Sequence, residues 1–264
     1  MIKPLKILLF GGCGLLGSRL LPALKKEGHQ VLSQSRGQGG DIQIDPSNKD
    51  AIKEVVSRIK PDIVINLIAK TGVDDCESDI DNAFWVNTKL VEILSESLSR
   101  SYAKLVHIST DQVYTGRGFQ TEFEARPQNV YALSKYGGEL AALNYGGLVL
   151  RVNFICGALA GEGIGLANWL YRSLKNETPI KIFEDVLFNP VHPSYLAKAI
   201  LKLTESSCHG IVNIGSIGGV SKAELARRIC EEFAFNGLNM KSASSSDFAF
   251  KANRPNDMRM DTSK

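Results

Sequence analysis

The chain has 264 residues, and 31 Lys+Arg against 28 Asp+Glu leave a formal charge of only +3. Charged residues at 22% and hydrophobic ones at 44% exclude an intrinsically disordered chain, and 24 glycines without a three-residue period exclude a collagen. So small a positive charge is no electrostatic footprint for nucleic acid, and the length fits one large domain or a nucleotide-binding domain with a smaller lobe.

Residues 1–6 lead into a short apolar run that ends at Phe10, too short for a signal peptide or a membrane span. The five cysteines (Cys13, Cys76, Cys156, Cys208, Cys230) form no C-x-x-C pair. Scattered and odd in number, they read as reduced thiols in a soluble cytoplasmic protein with no metal site. Strand-like apolar runs at 6–10, 30–34, 62–68, 104–109 and 148–152 alternate with helical patterns at 15–27, 48–59, 80–99 and 131–143. That alternation is the mark of βαβ units, so the expected fold is α/β: a doubly wound parallel sheet of the Rossmann type. Pro61 ends the second helix, since its ring and missing N–H do not suit a helix interior. After Cys156 the pattern loosens into glycine-rich turns, a helix centred on Trp169 and another at 195–203, while the serine-rich stretch 242–246 reads as a surface loop. The expected division is a dinucleotide-binding domain at 1–155 and a smaller C-terminal, mainly substrate-binding lobe at 156–264, with some segments returning to the sheet.

The first strand runs straight into Gly11-Gly12-Cys13-Gly14-Leu15-Leu16-Gly17. Glycines at 11, 14 and 17 let the backbone turn sharply, approach a pyrophosphate and pack the following helix closely, and the helix N-terminus offers free N–H groups to the phosphates. About 20 residues on, an Asp or Glu would bind the ribose 2′-OH of NAD, but 32–36 reads Leu-Ser-Gln-Ser-Arg. Arg36 can clamp a 2′-phosphate and Ser33 and Ser35 can donate to it, so the expected cofactor is NADPH, with NADH second.

Tyr131 and Lys135 stand one helical turn apart on one face. A free tyrosine titrates near 10, and an adjacent ammonium lowers that value toward the range of a general acid. Upstream, Ser109-Thr110-Asp111 places hydroxyls at the carboxyl edge of the sheet, where one of them can hold a carbonyl oxygen while the tyrosine protonates it. Thr110, Tyr131 and Lys135 are therefore the expected catalytic residues.

In this order and spacing the chain resembles the extended short-chain dehydrogenase/reductases, and within them the dTDP-4-dehydrorhamnose reductase family, over nearly its whole length. The resemblance includes the glycine turn, Asp45-Pro46, the stretches 66–74 and 109–114, Tyr131 to Lys135, Arg254-Pro255 and the tail 259–264. It implies that Tyr131 is the proton donor, that Lys135 meets the nicotinamide ribose and that Thr110 tunes the tyrosine or holds the keto oxygen. Gly14, Leu15 and Leu16 would contact the pyrophosphate, Asp45 and Pro46 the adenine, and Ala69, Lys70 and Thr71 the length of the cofactor. Thr110, Asp111, Phe154 and Arg254 would meet a sugar nucleotide. The implied reaction reduces the C4 ketone of a nucleotide-linked 4-keto-6-deoxy sugar, in deoxysugar and surface-polysaccharide synthesis. The resemblance leaves room for a homodimer and calls for neither nucleic acid nor membrane.

The chain departs from the family pattern at three places. Phe154 replaces a tryptophan, Gln34 stands where the cofactor acid would be, and 188–192 reads Phe-Asn-Pro-Val-His. A further helix beyond Lys264 is also expected. Gln112, in place of the glutamate of sugar-nucleotide dehydratases, cannot exchange a proton, which argues against water elimination. Two other readings use the same residues: a sugar-nucleotide epimerase, and a non-catalytic subunit similar to the regulatory β subunit of methionine adenosyltransferase. His107 reads as a packed core residue, His192 as a turn residue, and Phe84, Trp85, Leu90 and Leu94 as the packing face of a helix.

Overall fold

The computed structural model describes residues 4–154, 165–206 and 208–264. The chain begins β1 (Lys6–Phe10), α1 (Gly17–Lys26), β2 (Gln30–Ser35), β3 (Ile42–Gln43), α2 (Lys49–Ile59) and β4 (Ile63–Asn66). Two short helices come after it, α3 (Val73–Ser78) and α4 (Ile80–Phe84), then a π-turn over Trp85–Lys89 that leads into α5 (Leu90–Leu98). Next come β5 (Lys104–Thr110), α6 (Val130–Leu143) and β6 (Leu148–Phe154). The remainder is α7 (Leu166–Lys175), β7 (Ile180–Phe183), β8 (Leu187–Phe188), β9 (Pro190–Val191), α8 (Pro193–Glu205), β10 (Gly210–Ile214), β11 (Val220–Ser221), α9 (Lys222–Phe233) and β12 (Met240–Ala243).

The main sheet runs β10-β6-β5-β4-β1-β2-β3, every pair parallel, with β9 joining the end of β6. From β1 the chain winds one way to β2 and β3, then returns to the other side for β4, β5 and β6. That reversal opens a crevice at the carboxyl ends of β1 and β4. Strand side chains alternate, so Ile7 and Leu9 enter one core with Leu20 and Leu24 of α1 and Leu196 and Ile200 of α8. Leu8 and Phe10 enter the other with Ile52 and Val56 of α2 and Val91 and Leu94 of α5. Burial on both faces explains why these strands read as unbroken apolar runs.

Three local expectations change. Helix α1 starts at Gly17, leaving Leu15 and Leu16 in the turn. The stretch 80–99 is not one helix, because the π-turn adds a residue to one turn and rotates α5 relative to α4. The serine-rich stretch 242–246 is no simple loop: Ser242 and Ala243 belong to β12, which pairs with β7, and Ser245–Asp247 form a 3₁₀ turn. Helices α7 and α9 cover that small sheet through Leu170, Leu174, Ala223 and Ala226.

Candidate active site

At the mouth of β1 the backbone closes on itself. Gly11 adopts φ +79°, which favours glycine, and a Cβ on Gly17 would stand 2.5 Å from the carbonyl oxygens of Gly11 and Gly12. A Cβ on Gly12 would meet the Cβ of Ser33 at 2.6 Å. Over this turn lies a cavity of about 710 Å³ lined by Gly11, Gly14, Arg36, Asp45, Ile68 and Lys70, among others. A glycine cradle beside a strand-end cavity of that size suits a dinucleotide, with Gly11 and Gly14 at the phosphates. Of the residues expected to hold the cofactor, Ser35, Pro46 and Ala69 line this cavity too. Leu15, Leu16, Gly17 and Thr71 are not among its lining: Leu16 is buried in the core, and Gly17 packs on the carbonyls of the turn.

The hydroxyls offered for a 2′-phosphate are already engaged. Ser33 Oγ donates to Asp41 Oδ2 at 2.8 Å, and Ser35 Oγ to the carbonyl of Gly37 at 2.5 Å. Gln34, at the position of the family acid, is buried: its Oε1 accepts from Gly11 N and its Nε2 donates to Ile44 O, tying the glycine turn to the chain after β3. Arg36 remains, exposed at the cavity wall. Trp85 also leaves its expected packing role; it is 44% exposed and lines the cavity, while Leu90 and Leu94 are buried. Asn87, in the π-turn, was not anticipated. Its side chain pins Lys70, accepting from Lys70 N at 2.8 Å and donating to Lys70 O at 3.0 Å and to Ser134 Oγ at 2.9 Å. The π-turn is its only signal, and a straight helical pattern hides that.

The other half of the site stands on β5 and α6. Asn129 caps α6 by accepting from Ala132 N at 2.8 Å, which sets Tyr131 in the first turn and Lys135 in the next. Thr110 ends β5; its Oγ1 accepts from Gln112 N at 3.2 Å and donates to Asp111 Oδ1 at 3.4 Å, and the hydroxyl lies beside the Tyr131 phenol, whose pKa it lowers. Burial outweighs that lowering and pushes the Tyr131 phenol up to about 12. The expected lowering by Lys135 is therefore not what the site shows. Lys135 Nζ turns to Ile108 O at 2.7 Å, and burial pushes the lysine down to about 8. Asp111 is buried too, accepts from Asn153 Nδ2 at 2.7 Å, and is pushed up to about 7 by desolvation.

Ser109 does not share Thr110's position. Its hydroxyl donates at 2.5 Å to Glu139, which also forms a fully buried pair with Arg151 at 2.6 Å. Arg151 donates in addition to Tyr114 Oη and the carbonyl of Glu122. This network fixes α6 against β5 and β6. His107 is buried within β5, and His192 caps α8 by accepting from Ser194 N, as expected of both. Arg254 lies over the Phe250 ring at 4.4 Å and donates to Asp74 Oδ2 at 2.6 Å. Phe154 ends β6, but its side chain lies outside the described residues, as does Cys156.

The RmlD substrate binding domain model matches residues 5–264. The chain belongs to this family. It is 28% identical to a probable low-salt glycan biosynthesis reductase of Haloferax volcanii, over 96% of this chain and 88% of that one. It is equally 28% identical to the dTDP-4-dehydrorhamnose reductase of Escherichia coli, over 98% and 90%. The crystal structure of a Bacillus anthracis dTDP-4-dehydrorhamnose reductase in complex with NADP superposes with a TM-score of 0.89, at 26% identity, over 98% and 91% of the two chains. The resemblance drawn from the motifs of this RmlD-type chain holds, and so does the Rossmann-like parallel sheet.

Proposed function

We propose that this chain is an NADPH-dependent reductase of the C4 ketone of a nucleotide-linked 4-keto-6-deoxy sugar. The observation that carries the reading is the buried Thr110 hydroxyl beside the Tyr131 phenol, with Lys135 one turn on, standing at the carboxyl edge of the same sheet as the glycine cradle. NADPH, when bound, supplies a hydride. Thr110 Oγ1 and Tyr131 Oη hold the keto oxygen between them, and Tyr131 gives its proton to that oxygen as C4 is reduced. Burial keeps the phenol protonated until then, which suits a proton donor. Lys135 meets the nicotinamide ribose, while Gly11, Gly14, Asp45, Pro46, Ala69 and Lys70 line the cofactor and Arg36 takes the 2′-phosphate. Asp111, Phe154 and Arg254 are the proposed contacts of the sugar nucleotide.

Soluble cytoplasmic work fits the scattered cysteines, and among the described residues no helix is long and apolar enough to cross a membrane. A second copy is the proposed protein partner. Leu133 and Leu140, exposed two turns apart on α6, support it, and sedimentation checks it.

The test is NADPH oxidation followed by absorbance against dTDP-, GDP- and UDP-4-keto-6-deoxy sugars. Turnover with one of them is expected, and Tyr131→Phe should lower kcat by about a thousandfold while NADPH still binds. Near-normal kcat in that variant would sink the mechanism. Silence across the panel with NADPH bound would turn the weight to a non-catalytic subunit.

A further inference from the structure

Behind Tyr131 and Lys135 lie two buried polar side chains with no part in the reduction: Asn66, at the end of β4, and His107, in β5. Asn66 Oδ1 accepts from Ile68 N at 3.1 Å, so its amide NH₂ is the group that faces His107 Nδ1, also at 3.1 Å. An NH₂ only donates, so Nδ1 must present a lone pair. Burial first, and then the charge of Lys135, hold the imidazole pKa well below its usual value, so the ring is neutral and its proton sits on Nε2. Nε2–H then faces Lys135 Nζ at 3.5 Å, donor against donor, a separation beyond good hydrogen-bond range. Ile108 O, at 2.7 Å, is the protein acceptor that Lys135 does have.

The other charged groups near Lys135 are engaged elsewhere or lie off to the side. On α6 itself, Glu139 is paired with Arg151 of β6 and bonded to Ser109, and the Tyr131 phenol lies beside Thr110. Asp111, beyond β5, accepts from Asn153. From α3, Cys76 packs on Tyr131 and Glu77 accepts from the backbone of Val130. From the π-turn, the neighbours Asn87 and Thr88 do not titrate, and both are bonded to Ser134. An ammonium at Lys135 is therefore short of acceptors, and burial pushes the group down to about 8.

We infer that Asn66 and His107 are positioning residues that withhold a hydrogen-bond acceptor from Lys135, so that the lysine takes up a proton when ribose hydroxyls of the cofactor arrive. The inference rests on the reading of Lys135 as the residue that meets the nicotinamide ribose. Ile68 connects the two, because it lines the cofactor cavity while its N–H orients Asn66. The imidazole tautomer is thereby set from the cofactor side.

NADPH binding followed by fluorescence, together with proton uptake in weakly buffered solution from pH 7 to 9.5, tests this. The wild-type protein should take up protons on binding near pH 8.5, and its Kd should rise about tenfold per pH unit above the lysine's free value. Lys135→Met should abolish the uptake. Asn66→Asp keeps the oxygen for Ile68 N but turns the other oxygen into an acceptor, so Nδ1 takes the proton and Nε2 accepts from Lys135. The uptake should then start at least one pH unit higher, a shift that a merely structural role for His107 would not produce. NADPH binding without uptake in the wild type, or an unmoved onset in a folded Asn66→Asp, overturns the inference. No NADPH binding at all would instead bring down the cofactor reading beneath it. Should Asn66→Asp fail to fold, the neutral His107→Gln, whose amide oxygen can turn to Lys135, should raise the onset in the same way, and an unmoved onset there overturns the inference.

Discussion

At the β1–β2 end of the crevice the chain makes room by having no side chains. A methyl on Gly12 or Gly17 would stand 2.5–2.6 Å from its neighbours, and the cavity above is open enough to leave Arg36 and Trp85 exposed. At the β5–α6 end nearly every functional group is polar and buried: Thr110, Asp111, Tyr131 and Lys135 are each at most 8% exposed. The first end offers backbone N–H groups and the exposed Arg36. The second shifts its pKa values by desolvation, which lifts Tyr131 and Asp111 and lowers Lys135. The glycine end is thus set by shape and the β5–α6 end by burial, and the two ends should respond differently to substitution.

The largest effect should come from breaking the buried end. Arg151→Met leaves Glu139 charged and unpaired in the core and strips a donor from Tyr114, so unfolding free energy should fall by about 5 kcal/mol in urea titration. A loss under about 1 kcal/mol would mean the pair does not anchor α6. Next comes Asp111, which ionises at about 7 in the folded protein against 3.8 when free. Between those values the unfolded chain binds fewer protons than the native one, so stability should fall as pH rises from about 4 to 7. The fall amounts to about 4 kcal/mol and levels off above 7. Asp111→Asn should flatten that part of the profile, and an unchanged slope would place its origin elsewhere. The smallest change belongs to the open end. Arg36→Ala should weaken NADPH about tenfold and leave NADH nearly untouched, as read by fluorescence titration. Equal losses for both would remove the case for a phosphate clamp.

Much of this was legible in the residues because it depends on local spacing. The βαβ alternation, the glycine turn and the Tyr131–Lys135 face come from periods of two and 3.6 residues and from φ angles that favour glycine. The hydroxyls were harder to read. Ser33, Ser35 and Ser109 all sit at strand ends where a ligand could reach them, yet each is engaged with Asp41, Gly37 or Glu139. The Glu139 partner lies 30 residues away, out of reach of any local pattern. Trp85 moved for another reason: the π-turn breaks the helical period on which its expected burial depended.

From its sequence alone this chain was committed to a doubly wound parallel sheet with a dinucleotide turn and a tyrosine–lysine pair, since each rests on contacts within a few residues. Tertiary structure decided which groups are charged. Desolvation and hydrogen-bond partners come from strands and helices far apart in the chain, and they turn Tyr131 into a tightly protonated acid, leave Lys135 short of acceptors and set the tautomer of His107.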